Sequence, residues 1–106
     1  MDAAIEGELI AKYRNAGQTC VCVNRFLVQE GIYEKFIAAL SEKVNAFAIG
    51  NGLDVGSEIG PLINANAVKK VEAHVADALA KAGRLVAGGK RHSAGELFYE
   101  PTIIAD

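Results

Sequence analysis

Cysteine is scarce in this sequence: two residues among 106, Cys20 and Cys22. Two thiols cannot supply the disulfide framework of a small secreted domain, so a reducing, cytoplasmic setting is the expectation. Long apolar runs are missing as well. No stretch nears the roughly 20 residues that span a bilayer, and no membrane partner is expected. The opening residues, Met1-Asp2-Ala3-Ala4-Ile5-Glu6, lack the basic and apolar regions of a signal peptide. Charge of one sign is also lacking. A net charge of -2 gives no electrostatic argument for nucleic acid or an anionic surface.

Two further absences concern ligands. The glycines of "VAGGKRH" precede a lysine without the spacer and Ser/Thr of a phosphate loop, so a turn after a strand is the reading. "NGLDVGSEIG" carries no Gly-x-Gly-x-x-Gly fingerprint behind a strand, so no nucleotide site is visible. A zinc site built from Cys20, Cys22, His74 and His92 would need closer to the usual Cys-x2-4-Cys spacing. Both histidines read as solvated surface residues, and no metal is expected.

What the sequence does contain is a globular profile, 51% hydrophobic and 23% charged. Ile5, Leu9 and Tyr13 recur at a spacing of four, predicting a helix over 2–16 that stops at Asn15 to Gly17. "VCVNRFLV", residues 21–28, is nearly continuous in apolar character and predicts a strand buried on both faces. Ile32, Phe36, Leu40 and Val44 predict a helix over 32–47. Residues 49–64 hold four glycines and a proline and read as irregular. Asn64 is a cap for a third helix over 65–82, with Val68, Val71, Val75, Ala78, Leu79 and Ala82 on one face and Gly83 as its stop. "RLVAGG" (84–89) reads as a short strand and "YEPTIIAD" (99–106) as an extended segment. Helices alternating with short strands define an α/β fold with a mostly parallel sheet. The chain ends on a strand-like run, which reads as a piece of something longer.

The stretch "NAGQTCVCVNR" holds both thiols. Cys20 sits where a helix stop meets the following strand, a turn that can expose a side chain. Lys12, Arg14 and Arg25 would favour its thiolate if they lie close, whereas the end of the preceding helix would oppose it. Spacing alone leaves two readings open: a nucleophile, or a small buried hydrophobe. Cys22 falls on the same strand face about 6.6 Å further along, at or past the usual disulfide limit. It either packs in the core or forms a redox pair with Cys20.

"NAGQTC" resembles the active-site cysteine signature of the aldehyde dehydrogenase superfamily. "RNAGQTCVCVNR" is similar to its succinate-semialdehyde dehydrogenase branch, and "FLVQEGIYEKF", "IGNGLDVGSEIGPLIN", "VEAHVADALAKAGRLVAGGKRH" and "FYEPTIIAD" resemble consecutive segments of that family. The likeness covers essentially the whole chain. It implies that Cys20 attacks the aldehyde carbon to form a thiohemiacetal. The oxyanion would be held by the Cys20 backbone N–H and an asparagine from elsewhere. Hydride would leave to NAD or NADP, and water activated by a glutamate would release the acid. Arg14 matches the arginine that holds the substrate's distal carboxylate, a job suited to the guanidinium fork. Cys22 matches a residue that forms a reversible disulfide with the nucleophile in some members.

The departures from the family set further expectations. The general-base glutamate lies in a Glu-Leu-Gly-Gly-like motif, whereas Glu8-Leu9 is followed by Ile10-Ala11 and Glu96-Leu97 by Phe98-Tyr99. The dinucleotide-binding domain precedes this segment in the family. Residues 1–106 are thus expected to be part of the catalytic, cysteine-bearing domain, partnered by a small aldehyde in a homo-oligomeric parent. Alone, the chain is expected to bind no NADP or NAD, to be inactive, and to dimerise, swap or aggregate through exposed edges. A stand-alone thiol redox module using Cys20 and Cys22, another aldehyde substrate class, and a non-catalytic interaction domain are the alternatives.

Overall fold

The computed structural model describes all 106 residues. Helix α1 spans Asp2–Tyr13. It stops three residues earlier than the spacing predicts, because Arg14 turns extended (ψ 127°) and the next two residues enter the left-handed region, Asn15 at φ 51° and Ala16 at φ 54°. Helix α2 spans Tyr33–Asn45 and buries Phe36, Ile37, Leu40 and Val44. These residues recur at three- and four-residue intervals, the stripe of a helix with one covered face. Ile32 lies just ahead of α2 in a single 3-10 turn.

Helix α3 spans Ala65–Ala80 and starts as its sequence demands. The Asn64 side chain accepts the N–H of Ala67 at 2.9 Å, satisfying one of the orphan donors of the first turn. Val68 and Val75 are its buried residues, while Leu79 at the far end is exposed. Gly83 closes the helix by donating its N–H to the Ala78 carbonyl at 2.9 Å. A Cβ at position 83 would stand 2.8 Å from that same oxygen, so the close turn requires glycine.

Strands β1 (Arg84–Ala87) and β2 (Ile103–Ala105) pair antiparallel, with Leu85 opposite Ile104 and a bulge before Ala87. A single antiparallel bridge, Arg91 to Tyr99, continues the pairing outward. The α/β class holds, but this sheet is not the parallel one expected. The only parallel pairing in the chain is an isolated bridge outside this sheet, Ile49 to Ile59. The strand expected over 21–28 is not formed either. That segment is open chain in which Val21 and Leu27 are exposed. Val23 donates one backbone hydrogen bond, to Ala11 of α1 at 3.2 Å. A strand exists only by virtue of a neighbour, and no other segment of this chain lies along 21–28 to complete a ladder.

The core falls into two clusters with β2 between them. Ile5, Phe36, Leu40 and Val44 form one, with Ile103 packed against it. Val68, Val75 and Tyr99 form the other, with Ile104 against it. Successive strand residues face opposite sides, so β2 gives one side chain to each cluster and separates α1 and α2 from α3. The last residue is tied in: the Asp106 carboxylate accepts from Tyr33 at 2.9 Å and from Arg84 at 3.0 Å. No helix is long and apolar enough to cross a membrane.

Candidate active site

The region around Cys20 is built from the broken end of α1. Asn15, Ala16 and Gly17 are consecutive residues with positive φ, the last at 76°. Glycine enters this region freely and asparagine tolerates it, whereas alanine there costs about 1–2 kcal/mol. The chain reverses sharply, and Gln18 donates its backbone N–H to the Asn15 carbonyl at 3.1 Å. A second turn follows at once. Cys22 donates its N–H to the Thr19 carbonyl at 3.1 Å, making Cys20 and Val21 the two central residues. Cys20 is therefore an exposed thiol at the tip of a turn, not a buried hydrophobe.

Cys22 lies on the inner side of the same turn and is half-buried. Its Sγ is 2.7 Å from Thr19 Oγ1. The thiol donates to the Arg14 carbonyl at 3.8 Å, which leaves the Thr19 hydroxyl as donor to sulfur. Both cysteines are free thiols. Of the three residues singled out in the sequence, Arg14 meets Cys22 through its backbone carbonyl, while Cys20 stands free at the turn tip and the Arg14 side chain hydrogen bonds neither sulfur. Arg14 caps the helix before the turn, and its exposed side chain enters none of the chain's ion pairs.

Two other anchors hold the turn. Lys12 Nζ donates to Asn24 Oδ1 at 2.8 Å, tying the residues after Cys22 back to α1. Gln18 ties the residues before Cys20 to the 49–64 loop: its Oε1 accepts the N–H of Ile63 at 2.9 Å and its Nε2 donates to the Pro61 carbonyl at 3.2 Å. Sequence reasoning assigned Gln18 no task, although it stands within the cysteine signature. Its partners are more than forty residues away in the chain (separations of 43 and 45), beyond any local pattern.

Two cavities flank this region, of about 500 and 700 Å³. Cys20 and Arg14 line neither. The larger is lined in part by Gly17, Gln18, Arg25 and His74. The smaller has an apolar wall of Phe26, Val28, Phe36 and Leu40, and Glu8 reaches it. Glu8 is buried and its Oε2 has no hydrogen-bond partner. Burial pushes its carboxyl up to about 7, against the opposing pull of Lys12. Its signal in the sequence was a carboxylate three residues beyond Ile5, on the covered face of α1.

No group of three His, Cys, Asp or Glu side chains is placed to hold a metal ion. His74 is exposed on α3, and His92 Nδ1 accepts the Ala94 N–H at 3.2 Å.

Cys20 is thus an exposed thiol on a turn braced behind a helix, within an α/β frame. Residues 1–106 match the aldehyde dehydrogenase family throughout, and the chain belongs to that family. It is 67% identical over its whole length to the succinate semialdehyde dehydrogenase of Acinetobacter baylyi, of which it covers 22%. It is 55% identical to the NADP(+) succinate-semialdehyde dehydrogenase GabD of Escherichia coli, again covering 22% of that enzyme. Among solved structures, it superimposes on succinate-semialdehyde dehydrogenase from Burkholderia pseudomallei with a TM-score of 0.95 at 54% identity, over 97% of this chain and 21% of that one. The chain therefore spans about a fifth of the length of the relatives it matches.

Proposed function

We propose that residues 1–106 are the cysteine-bearing part of the catalytic domain of a cytoplasmic, NAD- or NADP-dependent dehydrogenase that oxidises succinic semialdehyde to succinate. The observation that carries this reading is Cys20, an exposed thiol at a turn tip, six residues beyond an arginine with no ion-pair partner. Cys20 sulfur attacks the aldehyde carbon. The C–S bond forms, the carbonyl pair moves to oxygen, and the resulting oxyanion is met by the Cys20 N–H. Arg14 holds the carboxylate at the other end of the substrate. The likeness to the succinate-semialdehyde dehydrogenases of Acinetobacter baylyi and Escherichia coli supports that substrate.

The residues present do not fit a dinucleotide. The strands form an antiparallel pair, and the loop before α3 is entered from a single bridging residue, Ile49, rather than from a strand. The Ala67 N–H, which an anion would use, is already taken by Asn64. The nicotinamide and the base belong to parts of the parent polypeptide outside this segment. The chain by itself is inactive, and its exposed Leu27, Leu53 and Val55 favour self-association. The parent is a homo-oligomer.

The test is kinetic, on the parent polypeptide. Cys20→Ser abolishes turnover. Arg14→Ala raises KM for succinic semialdehyde about 10- to 100-fold, the loss of a charge-assisted contact of roughly 1.5–3 kcal/mol, and leaves KM for uncharged butanal nearly unchanged. Retained turnover in Cys20→Ser ends this reading of the site.

A further inference from the structure

Gln18 makes more side-chain hydrogen bonds to the rest of the chain than its neighbours in the cysteine turn. Its Oε1 accepts from Ile63 N–H at 2.9 Å, and its Nε2 donates to the carbonyls of Pro61 at 3.2 Å and Asn15 at 3.3 Å. One amide thereby satisfies a donor and an acceptor on the 49–64 loop together with the carbonyl of a left-handed residue. Asn15 returns a weaker contact, its Nδ2 donating to the Gln18 carbonyl at 3.4 Å. Two residues further on stands Cys20. The turn that carries it has little else to hold it from that side, since 21–28 pairs with no strand and Val21 is exposed.

We propose that Gln18 is the positioning residue of Cys20: its side chain staples the cysteine turn to the Pro61–Ile63 segment and thereby fixes where the thiol points. The proposal deepens the reading of Cys20 as nucleophile and rests on it for its catalytic meaning. The brace itself is a separate physical claim. The amide is required in full, because both a donor and an acceptor are used. A carboxylate at position 18 keeps the acceptor for Ile63 but sets a second oxygen against the Pro61 and Asn15 carbonyls. Only when protonated does it regain one donor. The variant Gln18→Glu should therefore behave as the wild type at acid pH and as a loosened turn above the carboxyl's titration, whereas Gln18→Ala is loosened at every pH.

Two readouts on the 106-residue chain test the brace. Amide exchange at Ile63 N–H should quicken at least tenfold in Gln18→Ala and stay protected in Gln18→Glu, which keeps the acceptor. Alkylation by iodoacetamide, read by peptide mass, should label Cys20 well ahead of half-buried Cys22 in the wild type. Gln18→Ala should narrow that ratio about tenfold as Cys22 is released. Gln18→Glu should narrow it only above the titration of its new carboxyl, read with a disulfide reagent active at acid pH. A merely structural role would lower the melting temperature without a pH-dependent change of ratio. Should Gln18→Ala fail to fold, the isosteric Gln18→Glu still carries the labelling readout, since it keeps the acceptor for Ile63 and loses only the donor. Unchanged Ile63 exchange in Gln18→Ala, or an unchanged labelling ratio in Gln18→Glu across pH, overturns the proposal.

In the parent polypeptide the same variants separate the two readings. Gln18→Ala should lower kcat about 10- to 100-fold, with KM for succinic semialdehyde held within about twofold. An unchanged kcat there rejects the positioning role and leaves the Cys20→Ser result untouched, whereas active Cys20→Ser rejects the nucleophile and leaves the brace standing in the exchange data.

Discussion

Thr19 Oγ1 lies 2.7 Å from Cys22 Sγ, a side-chain contact that closes the same turn whose backbone is closed by Cys22 N–H on the Thr19 carbonyl. The two cysteines consequently have different environments although they are two residues apart. Cys20 stands free at the tip, and Cys22 is held on the inner side. Thr19→Val keeps the volume and removes the hydroxyl. It should destabilise the chain by about 1 kcal/mol, the net worth of one hydrogen bond. It should also raise the labelling rate of Cys22 several-fold while leaving that of Cys20 nearly unchanged. Equal labelling of Cys22 in the two proteins would show that the contact does not hold the thiol.

The redox pairing of Cys20 with Cys22 has a specific structural cost. To reach Cys20, the Cys22 sulfur must leave both Thr19 Oγ1 and the Arg14 carbonyl. Oxidised glutathione supplies the oxidant: one glutathione disulfide is reduced to two thiols as one protein disulfide forms. Incubation should give an intramolecular disulfide detectable by mass, formed faster in Thr19→Val than in the wild type. Persistent mixed glutathione adducts on Cys20, with Cys22 still reduced, would assign Cys22 to packing alone.

The parts of this fold that could be read from the sequence are those whose causes are local. Helices α2 and α3 announce themselves by apolar spacing, by the Asn64 cap and by the Gly83 stop, and they form within a few residues of where that spacing puts them. The end of α1 was overrun because Asn15 and Ala16 adopt left-handed geometry that no propensity marks in an alanine. The segment 21–28 has the composition of a buried strand, yet composition describes what a segment can pair with and not whether a partner is at hand. The site divides in the same way. The cysteine motif itself is contiguous, so the exposed turn that carries Cys20 could be placed from the sequence, whereas the roles of Arg14, Cys20 and Cys22 rest on the family resemblance. The contacts that hold the motif reach Pro61 and Ile63 and leave no trace in its neighbourhood. The buried Glu8 was hidden for another reason: a carboxylate at the margin of an apolar stripe ordinarily turns outward to water.

The cap on α3 gives a prediction about stability. Asn64 Oδ1 accepts the Ala67 N–H at 2.9 Å, and nothing else in the chain serves that first turn with a side chain. Asn64→Ala should cost about 1 kcal/mol. Asn64→Asp should cost far less, because its carboxylate accepts the same N–H and faces the positive end of the helix dipole. Chemical denaturation monitored by circular dichroism reads both. Equal loss in the two variants would mean that the position is sensitive to side-chain replacement for reasons other than capping.

Glu8 makes the stability of the chain depend on pH. Burial beside Phe36 and the rest of the apolar wall raises its carboxyl from the usual 4.5 to about 7. A raised acid group holds its proton in the folded state over a range where the unfolded chain has already lost it. Between about 4.5 and about 7 the folded form therefore binds more protons, and stability falls as pH rises through that window. Above it the cost of ionising the half-desolvated carboxylate is present, on the order of 1–3 kcal/mol once solvent screening and the pull of Lys12 are counted. Below about 4.5 both states are protonated and the penalty vanishes. Glu8→Gln carries no titrating group and should remove this fall, so that it is the more stable protein near pH 8 and close to the wild type near pH 4. Thermal melts of the two proteins across that range give the comparison directly. A constant difference in melting temperature at every pH would place the ionised carboxyl in water rather than in the cavity beside Phe36.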